Sequence, residues 1–241
     1  MKSKRNTPKI LLFRGSPRSN IEEVEKWNDK LPCDVLCVRY MQEIPAYWWA
    51  REYFLENDYD YFVIATDDIV VKPEHIRQLQ SDLNERDFQV LAGMMNVDEI
   101  HWPDGYHNIC FDLAIQDRKL RYYNWLMPKE LPKEDIFRVK FTGFGLTAIR
   151  RDVMELLQFA GDGFYRGHGM EFGASLDLVF CWDCHDNGIP IYCDKRIKMQ
   201  HLRTHGEHQV GKRNPRAFLY KGGEEIALGK PDNISPQRAY I

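Results

Sequence analysis

The chain lacks a long apolar run, an excess of charge of either sign, a cysteine framework and any repeat. No stretch approaches the roughly 20 apolar residues that cross a bilayer, and the opening MKSKRNTPKILLF holds too short an apolar run for a signal peptide. With 33 Lys and Arg against 36 Asp and Glu, the formal net charge is −3. No global field therefore favours nucleic acid or an anionic membrane, and any anion site must be local. Six cysteines at uneven spacing in 241 residues do not read as a disulfide framework. These absences lead to the expectation of a soluble protein in a reducing compartment, the cytoplasm, with no transmembrane segment and no nucleic-acid partner.

What is present is a chain that is 44% hydrophobic and long enough to bury the core of one large α/β domain over residues 1–241. Strand-like and helix-like segments alternate. Short apolar strands are expected at Ile10 to Phe13, Asp34 to Tyr40, Tyr61 to Ala65, Phe88 to Met95, Leu146 to Ile149 and Ile189 to Cys193. Helices are expected from Asn20 to Lys30, from Pro45 to Asn57, from Pro73 onward with Ile76, Leu79 and Leu83 on one face, after Asp152, and from Ser175 to Asn187. This alternation predicts a central, mostly parallel sheet flanked by helices, a Rossmann-like arrangement. The middle, from Asn96 to Val139, is aromatic and rich in turn formers, so hairpins and loops are expected there. The tail beyond about residue 202 is rich in Gly, Pro, Lys and Arg and is expected to be mobile in part.

The strand at Tyr61 stops at two adjacent carboxylates, Asp67 and Asp68. In open α/β sheets, ligands bind beyond the carboxyl ends of the strands. Neighbouring carboxylates are easiest to keep ionised when a cation lies between them and a ligand, and Mg²⁺ or Mn²⁺ shared with substrate phosphates suits that position. An isolated Asp-Asp pair is more simply a solvated turn, so its company matters. Arg51 falls in the middle of an apolar helix face and must find an anion, either a carboxylate or a bound phosphate. FRGSPRS turns from the first strand with Arg14 and Arg18, where a nucleotide could lie. Asp177 stands near the start of a helix, where the dipole favours a carboxylate. His201 follows a strand and precedes Arg203, His205, His208, Lys212 and Arg213, and a neutral imidazole is a good Mn²⁺ ligand.

The order of these features resembles GT-A fold glycosyltransferases, most closely family-2-like members, over roughly residues 8 to 205. The shared features are a strand ending in acids, the glycine turn leading into GLTAIRRDV, an acid eleven positions before a helix-ending glycine, and a histidine thirteen further on. On this resemblance Thr66 to Asp68 lies over the family's DxD motif, with Thr66 in place of the first acid and Asp68 as a metal ligand. His201 is an additional metal ligand, and Asp177 lies over the catalytic base of inverting members, with Leu176 where an accompanying acid usually stands. Arg14, Arg51, Thr66, Asp67, Gly143 and Gly145 form the donor-binding set. The resemblance implies a metal-dependent enzyme, with Mn²⁺ or Mg²⁺, that moves a sugar from a nucleotide-sugar donor to a saccharide or other hydroxyl acceptor, closed over by residues 202 to 216.

Rival readings remain. A sugar-phosphate nucleotidylyltransferase shares the strands and metal but is expected to carry a second glycine in the first turn, which FRGSPRS lacks. An inactive nucleotide-sugar or carbohydrate-binding relative fits the two missing acids. CWDCH, Cys181 to His185, matches a c-type haem attachment pattern, and Cys181, Cys184, Cys193 and His201 are a conceivable zinc set at unusual spacing. Trp102, Tyr106, Tyr122, Tyr123 and Trp125 are candidates for an acceptor groove.

Overall fold

The apolar runs alternate in side-chain direction and yet are buried on both sides, which sorts each strand between two cores. The computed structural model describes residues 7–17, 21–96, 108–116, 120–125, 131–157, 159, 176–202 and 212–231. Strand β1 (Ile10–Ser16) sends Leu11 and Phe13 to one core and Ile10 and Leu12 to the other. Strands β2 (Asp34–Arg39) and β3 (Tyr61–Ile64) divide in the same way. Strands covered on both faces read as continuous apolar runs, as these do.

Between β1 and β2 lie a short helix, α1 (Glu22–Glu25), and a 3₁₀ turn at Asn28–Lys30, where one longer helix is expected. The expected cap, Asn20, lies outside the described residues. Helix α2 (Glu43–Glu56) follows β2, and a two-residue strand β4 (Ile69–Val70) precedes α3 (Pro73–Glu85) and β5 (Val90–Met95). The aromatic middle forms the antiparallel pair β6 (Ile109–Gln116) and β7 (Leu120–Trp125), as the turn-rich composition leads one to expect. Then come β8 (Ile136–Val139), β9 (Phe141–Thr142), β10 (Thr147–Arg150), α4 (Arg151–Leu156), α5 (Leu176–Asp186) and the long β11 (Ile191–His201).

Strands β2, β1, β3, β5 and β11 all point the same way, and β10 runs against them between β3 and β5. Helices α2, α4 and α5 supply one core and α3 the other. The result is an α/β fold with a central, mostly parallel sheet flanked by helices. Its carboxyl edge carries the ends of β1, β3, β5 and β11, together with the turn that enters β10.

Part of the tail is ordered. Strands β12 (Arg216–Lys221) and β13 (Glu224–Gly229) form a hairpin that extends the sheet beyond β2. Its turn is Gly222-Gly223, both at positive φ (60° and 88°). A two-residue Gly-Gly loop is a hairpin signal that composition alone obscures.

Two arginines lock α2 to α4. Arg51 donates to the carbonyls of Met154, Glu155 and Leu157 at the end of α4. Arg151 donates to those of Phe54, Leu55, Asn57 and Tyr59 at the end of α2. Each satisfies orphan carbonyls at the negative end of the other helix.

Strand β11 bulges between Asp194 and Lys198 as it passes β5. A Cβ at Gly93 would lie 2.8 Å from Ile197 Cγ2 and 2.9 Å from its carbonyl oxygen, so only glycine permits this approach. The bulge is stapled to α3 by two carboxylates and one guanidinium. Arg196 Nη2 donates to Asp82 at 2.7 Å and to Asp194 at 2.9 Å, with Asp82 3% and Asp194 0% exposed. Burial, and then the hydrogen bond shared with Asp194, pushes the Asp82 carboxyl up to about 7. Burial opposes ionisation of Asp194 as well, but hydrogen bonds from Arg196 and Asp82 hold it below its ordinary value.

The folded chain thus binds a proton at Asp82 that the unfolded chain releases near 3.8. Its stabilising effect is full on the acid side and is lost as pH rises toward 7. Stability measured by denaturant titration should fall between about pH 5 and 7, by at most about 1.4 kcal/mol per unit, and then level off. Asp82→Asn should flatten that fall.

Candidate functional site

The turn after β3 is held from below. Arg14, 4% exposed, donates from Nη1 to the carbonyls of Thr66 (3.3 Å) and Ile69 (3.0 Å). The amide of Thr66 donates to the carbonyl of Phe144 at 3.2 Å, which ties this turn to the glycine turn before β10. Strand β4 then pairs antiparallel with the end of β11, placing His201 opposite Ile69, and the Leu202 amide donates to the Asp68 carbonyl at 2.9 Å.

These constraints bring two sequence-distant groups together. His201 Nε2 lies 3.2 Å from Asp68 Oδ2. The other carboxylate oxygen of Asp68 accepts from the Thr66 hydroxyl at 3.0 Å, which fixes its orientation. Thr66 thus does with a hydroxyl what an acid in its place could not do, since a second carboxylate would repel Asp68. Asp67 turns the other way and accepts from the Ser16 hydroxyl at 2.8 Å.

Ligands about 2.1 Å from an octahedral ion are about 3 Å apart along an edge. The Asp68–His201 separation fits such an edge as well as it fits a hydrogen bond. His201 Nδ1 is buried and has no partner among the described residues. Among the described residues no group of three or more His, Cys, Asp or Glu is arranged to hold a metal, so an ion at this pair needs water or ligand oxygens to complete its shell.

Asp177 lies in the first turn of α5 and accepts from the Leu178 amide at 2.8 Å. A Cβ on Gly143 would be 3.4 Å from Asp177 Oδ2 and 3.4 Å from Asn108 Cβ. Asn108 is buried and ties the end of β5 to the glycine turn. Its Oδ1 accepts from the Met95 amide at 2.9 Å, and its carbonyl accepts from the Gly143 amide at 2.8 Å. Gly145 packs under Met95, whose Sδ would lie 2.8 Å from an added Cβ.

Tyr47, on α2, stacks on Phe144 with centroids 5.8 Å apart. Burial, followed by the negative fields of Glu43, Asp177, Asp67 and Asp68, raises its phenol well above the usual value. It remains a protonated hydroxyl among carboxylates. Sequence reading places Tyr47 only on an apolar helix face. That α2 starts from the carboxyl end of β2 was the available signal that its early turns border the site.

Several expected participants are placed elsewhere. Arg14 lies beneath the turn, with its guanidinium directed at backbone carbonyls. Arg51 finds its acceptors at the end of α4 and in Glu52, 2.6 Å away, so a bound phosphate is not needed to explain its burial. Cys181 and Cys184 are buried in the core, and Cys181 exchanges hydrogen bonds with the Thr142 backbone. That burial in the core corrects the haem-attachment reading, and it also pushes both thiols up. Cys193 stands opposite Ala92 and Met199 opposite Met95, so even with the bulge His201 lies about five strand positions beyond Cys193, roughly 16 Å at 3.3 Å per residue, too far for a shared zinc ion. Arg18, Trp102, Tyr106, Arg203, His205 and His208, and the side chains of Tyr122, Tyr123 and Trp125, lie outside the described residues. Among the described residues no helix is long and apolar enough to cross a membrane.

No protein-family model matches the chain. No curated protein matches it either. Among solved structures it is similar to A197 from STIV, at 17% identity and a TM-score of 0.49, over 94% of this chain and 92% of that one. It is similar also to the inositol-1-phosphate CTP transferase from T. maritima, at 11% identity and a TM-score of 0.45, over 83% and 91%. A third is the CMP:2-keto-3-deoxy-manno-octonic acid synthetase complexed with CTP, at 12% identity and a TM-score of 0.43, over 83% and 93%. Likenesses this distant favour no particular chemistry.

Replacing Arg51 tests its placement. Arg51→Met should leave carbonyls of α4 unsatisfied and lower stability by roughly 2–3 kcal/mol in chemical denaturation.

Proposed function

We propose that the chain is a transferase acting on a nucleotide sugar, and more narrowly a metal-dependent glycosyltransferase. The observation that carries this reading is the meeting of Asp68 and His201, 3.2 Å apart at the carboxyl edge of the sheet. One carboxylate and one neutral imidazole suit Mn²⁺ or Mg²⁺ shared with a diphosphate. When bound there, the ion would neutralise charge on the departing nucleoside diphosphate.

The remaining work falls to the chain. Thr66 holds Asp68 in one orientation, and Ser16 holds Asp67 clear of it. Asp177 is the candidate base. Its carboxylate takes the proton of the acceptor hydroxyl as that oxygen attacks the anomeric carbon, and the bond to the phosphate oxygen breaks with its electrons leaving on the diphosphate. Attack from the face opposite the leaving group inverts the anomeric centre. Gly143 leaves room for Asp177 above the turn, and Tyr47 supplies a neutral donor within the acidic field.

Nucleotidylyl transfer is the second reading. It asks for cations at the first turn to receive a triphosphate, and Arg14, the described cation there, is turned inward. The two readings release different products. Incubation of donor and Mn²⁺ with acceptor should liberate a nucleoside diphosphate, whereas pyrophosphate from a nucleoside triphosphate and a sugar phosphate would establish the other chemistry. In the same assay Asp177→Asn should lower kcat by roughly 10²–10⁴-fold with donor affinity little changed. A purely structural Asp177 would leave turnover nearly intact.

A further inference from the structure

The two edges of the main sheet are finished differently. Strand β4, at one edge, is two residues long, and a strand that short offers little to pair with. Strand β13 ends the other edge with six residues, Glu224–Gly229, and among the described residues no segment pairs with its outer side. Its charges, Glu224 and Glu225, stand next to the turn. Beyond them Ile226 and Ala227 are exposed, Ile226 to 43%, and Leu228 is half-buried against the same core as α2. A longer edge with an apolar centre is a surface for pairing with another strand.

The hairpin fixes which backbone groups of β13 are free. Gly222-Gly223 is a two-residue loop with both φ positive, so Lys221 and Glu224 flank it as a hydrogen-bonded pair. Such pairs alternate along an antiparallel ladder, which makes Leu219 and Ile226 the next hydrogen-bonded pair and turns the N–H and C=O of Glu225 and Ala227 away from β12. The spacing of these outward groups selects the partner. A second copy related by a two-fold axis normal to the sheet pairs antiparallel, with one residue on the axis. With Glu225 on the axis, two carboxylates oppose each other, which is unfavourable. With Ala227 on it, Glu225 faces Gly229, whose φ of 88° beside the irregularity opposite Ala217 and Phe218 takes it out of the regular ladder. With Ile226 on it, Glu225 of each copy faces Ala227 of the other, and all the outward groups are used in four hydrogen bonds. The two exposed Ile226 side chains then cover each other, and Glu224 faces Leu228 of the second copy rather than a like charge.

We propose that β13 is a homodimer interface, in which two copies of the chain join their sheets edge to edge about Ile226. It lies at the edge opposite β4 and His201 and does not rest on the reaction assigned to the chain.

Sedimentation velocity of the full chain over a concentration series should show a reversible monomer–dimer equilibrium. Ala227→Pro removes one outward N–H from each copy and no bond to β12, a position at which an edge strand tolerates proline, and should weaken the dimer roughly tenfold or more. Ile226→Lys sets two ammonium groups face to face and should leave only monomer; it decides if Ala227→Pro does not fold. In a Cys33→Ser background, which removes the partly exposed native thiol, Ile226→Cys should form an intermolecular disulfide under copper–phenanthroline oxidation. Glu224→Cys should not, because its two copies lie four strand positions apart, roughly 13 Å. A wild-type chain that is monomeric at every concentration, a dimer indifferent to Ile226→Lys, or a cross-link at Glu224→Cys in place of Ile226→Cys would overturn the proposal.

Discussion

The candidate site depends on how the chain turns back after β3. Two carboxylates in succession would spread apart and fray a free turn, yet Arg14 grips the carbonyls of Thr66 and Ile69 from beneath. The grip is strong because it is buried and charge-assisted. It leaves β4 in register to pair with β11, and that pairing delivers His201 to Asp68. The glycine turn is drawn in by the Thr66 amide and the Phe144 carbonyl. Asp177 then lies against Gly143.

A concentration of acids follows. Asp67, Asp68 and Asp177 all act on the phenol of Tyr47, and the structure answers each with a specific donor: Ser16, Thr66 and the Leu178 amide. Hydrogen bonds of this kind keep carboxylates ionised at close quarters. The same economy of charge governs the rest of the molecule. Arg51 and Arg151 are matched to helix ends, and Asp82 and Asp194 share Arg196 at the β11 bulge.

Much of the fold was legible in the sequence because its strands are apolar runs bounded by turn formers and its longer helices are punctuated by Pro45, Pro73 and Gly188. The acidic strand end and the candidate roles of Asp68, His201 and Asp177 came from motif order, and the coordinates add how closely Asp68 and His201 lie. What escaped was whatever depends on long-range partners. For Arg51 a helical wheel leaves a carboxylate and a phosphate equally open, because it shows that a guanidinium is buried but not that α4 ends beside it. The position of Arg14 in the sequence marks the right end of the sheet but not which side of the turn it faces. The two-residue β4 is too short to show any periodicity, and the Gly222-Gly223 hairpin was hidden by a composition that also fits a loose tail. Tyr47 was masked by its role in the apolar face of α2.

In the proposed reading Asp68 and His201 hold one divalent ion between them. Electron spin-echo spectroscopy of Mn²⁺ bound to the full chain with a nucleoside diphosphate reports its ligands. Modulation from an imidazole nitrogen, absent in His201→Ala, should appear alongside phosphorus coupling from the diphosphate. A bound Mn²⁺ that shows no imidazole nitrogen, or that keeps it in His201→Ala, would mean that the pair does not share the ion.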